Sequence, residues 1–159
     1  WKKVLSENLT SEEAKKEYIA LLSGKLPSDE GVIDAPIRRS EPMKMRRIVA
    51  EDGRRAVTRY ETIAYNGEIS LVRFTLETGR THQIRVHSSH MGCPLLGDEL
   101  YGDEESAVLS RKYGITSQTL HAESITLRDP VSREIIKVTA PIRRPELNEL
   151  INKLKRNGK

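Results

Sequence analysis

The sequence predicts an α+β fold, with a largely antiparallel mixed sheet and flanking helices. Three observations carry this reading. Extended runs follow one another through turn signals at Asp52-Gly53 and Asn66-Gly67, Tyr18 to Leu22 forms a short apolar run suited to a buried strand, and the helical patterns are short and interspersed. With 159 residues, 36% of them hydrophobic, the chain has material for one core, and no repeat, low-complexity segment or linker divides it.

In chain order, Trp1 to Asn8 reads as the end of a helix, and Thr10-Ser11-Glu12-Glu13 offers capping chemistry for a further helical turn. Glu17 to Ser23 is apolar on both faces and stops at Gly24, as a central strand would, although a run this short also fits a helix. Lys44 to Ala50 and Arg54 to Ile63, joined by Glu51-Asp52-Gly53, read as a hairpin. A second hairpin turns at Asn66-Gly67, with the positive φ values of a type I′ turn, into a strand from Glu68 to Glu77. On that strand Ser70, Val72, Phe74 and Leu76 are expected to face a core. Thr81 can cap a short helix to Met91, with Gly92 as its terminal glycine and Pro94 preventing continuation. After a loop, Thr119 to Arg128 and Glu134 to Ala140 alternate as strands around Asp129-Pro130-Val131-Ser132, and Pro145 opens a terminal helix through Lys155.

Bulk properties narrow the class. No apolar run approaches the roughly 18 residues that span a bilayer, so no membrane association is expected. The first residue is Trp1, no signal-peptide pattern follows it, and the expectation is a segment cut from a longer chain. A single cysteine, Cys93, fits a reducing compartment and makes the cytoplasm the expected location. The net charge is only +4, but Arg38, Arg39, Lys44, Arg46, Arg47, Arg54, Arg55 and Arg59 crowd one stretch against Glu41, Glu51 and Asp52. Such a stretch is either a solvated face or a phosphate-binding surface, because counterion release rewards clustered arginine and lysine.

The densest group of chemistry-bearing residues is Gly79-Arg80-Thr81-His82-Gln83-Ile84-Arg85-Val86-His87. At helical spacing His82, Arg85 and Ser89 neighbour one another, as do Gln83, His87 and His90, and these side chains could grip a phosphate or a base edge. The bland alternative is a polar surface helix. His82, His87, His90, Cys93 and His121 are metal-ligand types, yet neither paired-cysteine spacing nor a His-Glu-x-x-His pattern organises them, so no metal is expected. Neither glycine-rich phosphate loop is present, which favours cofactor-free chemistry. Aromatic residues make up 4% of the chain, thin for a single-strand stacking platform, so recognition of folded RNA through its backbone fits better.

The run Leu76-Glu77-Thr78-Gly79-Arg80-Thr81-His82-Gln83-Ile84-Arg85-Val86-His87, followed by Pro94-Leu95-Leu96-Gly97-Asp98 and Tyr101-Gly102, resembles the pseudouridine synthases that modify large-subunit ribosomal RNA and transfer RNA. Lys16 to Gly24 is similar to that family's tyrosine-bearing strand. Asp34-Ala35-Pro36-Ile37 and Ala56-Val57-Thr58-Arg59-Tyr60 are similar to its intervening hairpins, and Leu120-His121-Ala122 and Ala140-Pro141 fall in order downstream.

The resemblance implies an enzyme that flips a uridine out of RNA, cleaves its glycosidic bond, and rejoins the uracil through carbon 5 without a cofactor. Extrusion costs a few kcal/mol, so backbone contacts are needed, and the basic hairpins could supply them. Tyr18 would stack on the uracil and handle a proton. Arg85 would hold the catalytic aspartate ionised, with Arg80 the competing candidate for that role or a phosphate contact. Ile84 and Leu96 would wall the pocket. Arg38, Arg39, Lys44, Arg46, Arg47, Arg54, Arg55, His82 and Gln83 form the expected RNA-binding set.

One departure matters: the family's aspartate sits in a His-Arg-Leu-Asp motif, and no such segment occurs here. None of the aspartates present is expected to be the nucleophile. The resemblance therefore implies that residues 1–159 are the C-terminal portion of an incomplete catalytic domain, inactive alone. The alternative is a non-catalytic RNA-binding module that retains the uridine pocket. A missing half should also expose sheet edges and apolar surface, through which copies of the chain could associate.

Overall fold

The computed structural model describes residues 14–41, 45–129 and 131–157. The sequence readings for Trp1 to Asn8 and Thr10 to Glu13 lie outside these residues, as does Lys44. Eight strands and three helices are present among the described residues: β1 (Lys15–Ser23), β2 (Glu30–Asp34), β3 (Ile37–Arg39), β4 (Arg47–Val49), β5 (Val57–Tyr65), β6 (Ile69–Leu76), α1 (Gln83–His90), α2 (Glu104–Lys112), β7 (His121–Arg128), β8 (Ile135–Thr139) and α3 (Pro145–Asn157).

Six strands form one sheet in the order β2-β5-β6-β1-β7-β8, and β3 and β4 form a second, two-stranded sheet. Every strand pairing is antiparallel, so the expected α+β class holds while the sheet is not mixed. β1 sits at its centre because its apolar run is needed on both faces. Ala20 and Leu22 pack with Val72, Phe74 and Ile84 on the face covered by α1. Ile19 and Leu21 pack with Ile69, Leu71 and residues of α2 and α3 on the other.

That second core corrects the reading of β6, where Ile69 and Leu71 are as completely buried as Val72 and Phe74. The covering element is α3, whose Leu147, Ile151 and Leu154 recur at i, i+4 and i+7 and are all buried. Each such side chain contributes about 1.5–3 kcal/mol when buried. Helix α2 lies in the stretch read as a loop. It carries a capping box in which the Asp103 carboxylate accepts the Ser106 N–H, while the Ser106 hydroxyl accepts the Asp103 N–H.

The first hairpin differs from its expected pairing. β4 pairs with β3, not with β5, in the register Ile37↔Val49 to Arg39↔Arg47. Ile37 also exchanges two 2.9 Å backbone hydrogen bonds with Arg54. Its buried side chain thus draws β3 between the two arms that Asp52-Gly53 was expected to join. The second hairpin forms as expected, but of its turn residues only Gly67 takes positive φ. Asn66 acts through its side chain, whose Oδ1 accepts the N–H groups of Glu68 and Ile69. The type I′ expectation therefore fails although the hairpin holds.

Helix α1 is entered through His82 in the left-handed conformation (φ 59°), with no side-chain cap from Thr81. At the opposite sheet edge, every residue of β8 is exposed, including Ile135 at 71% and Val138 at 55%. No helix among the described residues is long and apolar enough to cross a membrane.

Candidate functional site

The Thr78-to-His87 motif folds into a lock that fixes α1 on the sheet. Gln83 is 2% exposed and fully engaged. Its Oε1 accepts the Thr78 hydroxyl at 2.8 Å and the Arg80 N–H at 2.9 Å, and its Nε2 donates to Val57 O and Thr58 Oγ1, both at 3.0 Å. His87 continues the network. Its Nε2 lies 2.9 Å from Ala35 O, an acceptor, so Nε2 carries the proton and Nδ1 accepts the Thr58 hydroxyl at 2.8 Å. Burial pushes the His87 pKa down, against the opposing pull of the Ala35 carbonyl.

This corrects two expectations. Gln83 is not an RNA-facing residue, because burial and four hydrogen bonds leave it no capacity for a ligand. Leu96 does not wall a pocket with Ile84: it is fully buried in the core with Ile19, Leu21 and Leu109, on the opposite side of the sheet.

With α1 fixed, Arg85 projects from its first turn onto Asp98. Nε donates to Oδ2 and Nη2 to Oδ1, each at 2.7 Å, in a bidentate pair. The Asp98 side chain has no solvent exposure, and Oδ1 also accepts the N–H groups of Leu100 and Tyr101 at 3.1 Å. Burial acts to raise its pKa, but the Arg85 hydrogen bonds and the backbone amides outweigh it and hold the carboxyl below its ordinary value. The same pairing raises the Arg85 pKa. Asp98 is thus an anchor, sealed from any substrate.

Its position depends on Gly97, which has φ 71° and lies so close to the Ser117 backbone that a Cβ would collide with it. Arg85 keeps 15% side-chain exposure, and its Nη1 makes no hydrogen bond among the described residues. The guanidinium therefore has a second edge, built from Nη1 and Nη2, able to receive another carboxylate.

Tyr18 lies on the same side of the sheet. It sits on β1 opposite Phe74 of β6 and Ala122 of β7, where Glu123 forms a bulge. Its ring packs against the cluster that contains Ile84 and that Met91 and Leu120 also border. Its hydroxyl makes no hydrogen bond among the described residues.

Arg80 lies elsewhere. Its Nε donates to Arg55 O at 2.9 Å, and it lines an open cavity of about 400 Å³ with Arg38, Arg39, Arg47, Arg54 and Thr81. Within this cavity Arg38 pairs with Asp52 at 2.8 Å. Arg80 thus joins Arg38, Arg39, Arg47 and Arg54 of the basic stretch on one concave surface. Arg46 is not in it but lies over the Tyr101 ring, 5.7 Å from the centroid, and Arg55 contributes its carbonyl.

Tyr101 was not singled out in the sequence as a site residue. It is buried, its hydroxyl accepts the Arg47 N–H at 2.9 Å and lies 2.8 Å from His82 Nδ1, and the Arg85 guanidinium covers its ring at 4.8 Å. Burial, then the charges of Arg85 and Arg47, push the His82 pKa down, which favours the neutral ring whose Nδ1 can accept a hydrogen bond from the tyrosine hydroxyl. The available signal was the Asp98-to-Tyr101 spacing, which lets a carboxylate accept amides two and three residues on. Among the described residues, no three His, Cys, Asp or Glu side chains form a set able to hold a metal ion.

Comparison with known proteins gives a consistent assignment. The family model for RNA pseudouridylate synthase matches residues 1–90. An uncharacterized RNA pseudouridine synthase of Bacillus subtilis is 41% identical over 140 residues, covering 87% of this chain and 44% of the relative. Ribosomal large subunit pseudouridine synthase D of Xanthomonas campestris is 36% identical over 162 residues, covering 97% of this chain and 48% of the relative. The chain thus spans just under half the length of these two relatives. Among solved structures, human RNA Pseudouridylate Synthase Domain Containing 4 superposes with a TM-score of 0.74 at 24% identity, covering 97% of this chain and 67% of that one, a likeness of fold.

Proposed function

The chain belongs to the RNA pseudouridylate synthase family, and from that premise we propose that it forms the Tyr18–Arg85 half of an active site that converts uridine to pseudouridine in structured ribosomal or transfer RNA. In this reaction the bond from the sugar C1′ to uracil N1 breaks, the base turns, and C1′ bonds to C5. The C5 hydrogen leaves as a proton, N1 gains one in place of its bond to the sugar, and no cofactor is required.

The observation that carries this reading is the divided use of Arg85. Asp98 fixes the guanidinium through Nε and Nη2, and the second edge stays available for the nucleophilic aspartate. A guanidinium there would hold that aspartate ionised and oriented. No His-Arg-Leu-Asp segment exists in the 159 residues, so the aspartate would come from outside this chain, which would be inactive alone.

Tyr18, with its free hydroxyl and half-buried ring, would stack on the extruded uracil beside Ile84. The cavity of Arg38, Arg39, Arg47, Arg54 and Arg80 would grip the RNA backbone and help offset the few kcal/mol that extrusion costs. The protein would act in the cytoplasm. The open, apolar edge of β8 would be the surface through which copies of this chain associate.

The missing aspartate segment also supports a second reading, a binding module that holds RNA in the same cavity without chemistry. Release of tritium from C5 of uridine separates the two, since only the synthase breaks that bond.

A further inference from the structure

Three parts of the molecule meet at Tyr101: the basic β3–β4 hairpin, the entry to α1, and the Arg85–Asp98 pair. The hydroxyl reaches the first two, accepting the Arg47 N–H and bonding His82 Nδ1. The ring reaches the third, lying under the Arg85 guanidinium at 4.8 Å. Its own backbone closes the assembly, because the Tyr101 N–H donates to Asp98 Oδ1 and its carbonyl accepts the Ser89 hydroxyl at 2.9 Å. His82 meets the ring edge-on, with centroids 5.6 Å apart and planes at 77°.

The β3–β4 hairpin is a small sheet of its own, separate from the six-stranded sheet. Arg38, Arg39 and Arg47 all lie on it and all line the basic cavity. The Tyr101 hydroxyl is therefore one of the points that set the height of these arginines over α1. The ring sets the tilt of Arg85 on the other side of the same residue.

We infer that Tyr101 is a positioning residue that couples RNA engagement at the basic cavity to the orientation of Arg85; this rests on the proposed isomerase reading. Its two halves do different work. The hydroxyl registers the hairpin against α1 and governs binding, whereas the ring supports the guanidinium and governs turnover.

The test uses the full-length protein and a structured RNA carrying tritium at C5 of uridine. Tyr101→Phe keeps the ring and removes the hydroxyl. KM is expected to rise about fivefold, the scale of one lost hydrogen bond, with a smaller change in kcat. The slope of log Kd against log salt is expected to become shallower, because hairpin arginines disengage from phosphates.

His82→Asn breaks the same link from the half-exposed side and tolerates the left-handed backbone, so it should reproduce both effects if Tyr101→Phe folds poorly. Tyr101→Leu removes the support beneath Arg85 and is expected to lower kcat more than it raises KM. The inference is overturned if Tyr101→Phe and His82→Asn keep the wild-type KM and salt slope, or if all three variants change only melting temperature. If the wild-type protein binds RNA but releases no tritium, the isomerase reading fails, and the salt slopes still decide whether the hydroxyl places the hairpin.

Discussion

Arg85 and Asp98 meet through two parallel 2.7 Å hydrogen bonds, with the carboxylate wholly buried and the guanidinium still partly open to solvent. This asymmetry makes Asp98 a mount for Arg85 and leaves the arginine one usable edge.

Asp98→Asn should damage both stability and activity. Breaking a buried pair from one side costs about 3–5 kcal/mol, because the remaining charge loses its partner. A urea titration would detect that loss as a lower midpoint with an unchanged slope, and activity of the full-length protein should fall with it.

Arg85→Lys separates charge from geometry. Lysine keeps the cation but cannot bridge two carboxylates with a planar fork. Turnover by the full-length protein is expected to drop at least roughly 100-fold, in line with loss of about 3 kcal/mol of transition-state stabilisation. Activity within a few-fold of wild type would remove Arg85 from the mechanism.

Tyr18→Phe should leave the fold nearly untouched, within about 0.5 kcal/mol, because the hydroxyl has no partner among the described residues. Turnover should nevertheless fall sharply if that hydroxyl handles a proton. Thermal melting and single-turnover kinetics on the same sample would show whether the two effects separate as expected.

Arg54→Ala and Arg80→Ala test the basic cavity. Each should weaken RNA binding to a similar extent across sequences and reduce the salt slope by about one phosphate contact. A change confined to one RNA sequence would point to base readout instead.

Acid should destabilise the fold in two stages. His87, pushed below 6.5 by burial, binds its proton more readily when unfolded, so stability falls as pH drops below that value. Glu17 is lowered from 4.5 to about 2, first by its hydrogen bond from Lys15, so its contribution is present above pH 4.5 and lost as pH falls toward 2. A urea midpoint that stays flat from neutral pH into this acid range would contradict both assignments.

Legibility in the sequence followed physical range. Local chemistry was readable: the Asn66-Gly67 hairpin, the β7–β8 hairpin and the Pro145 helix all form near their expected bounds. What depended on distant partners was not. Ile37 diverts β4 away from β5, and α3 covers the Ile69–Leu71 face, neither of which has a signal in nearby residues. For the candidate site, the resemblance pointed to Tyr18 and Arg85, which remain proposed, and motif spacing could not show that Gln83 is consumed by Val57, Thr58 and Thr78, or that Tyr101 joins three elements. A polar residue in a motif looks the same whether it faces a ligand or satisfies buried backbone.

The most direct measurement is tritium release from C5 of uridine in structured RNA, comparing residues 1–159 alone with a longer chain that includes a His-Arg-Leu-Asp segment. Release by the longer chain and none by residues 1–159 is the expected result. Release by residues 1–159 alone would contradict the claim that the nucleophile lies outside them, and release by neither would contradict the synthase reading itself.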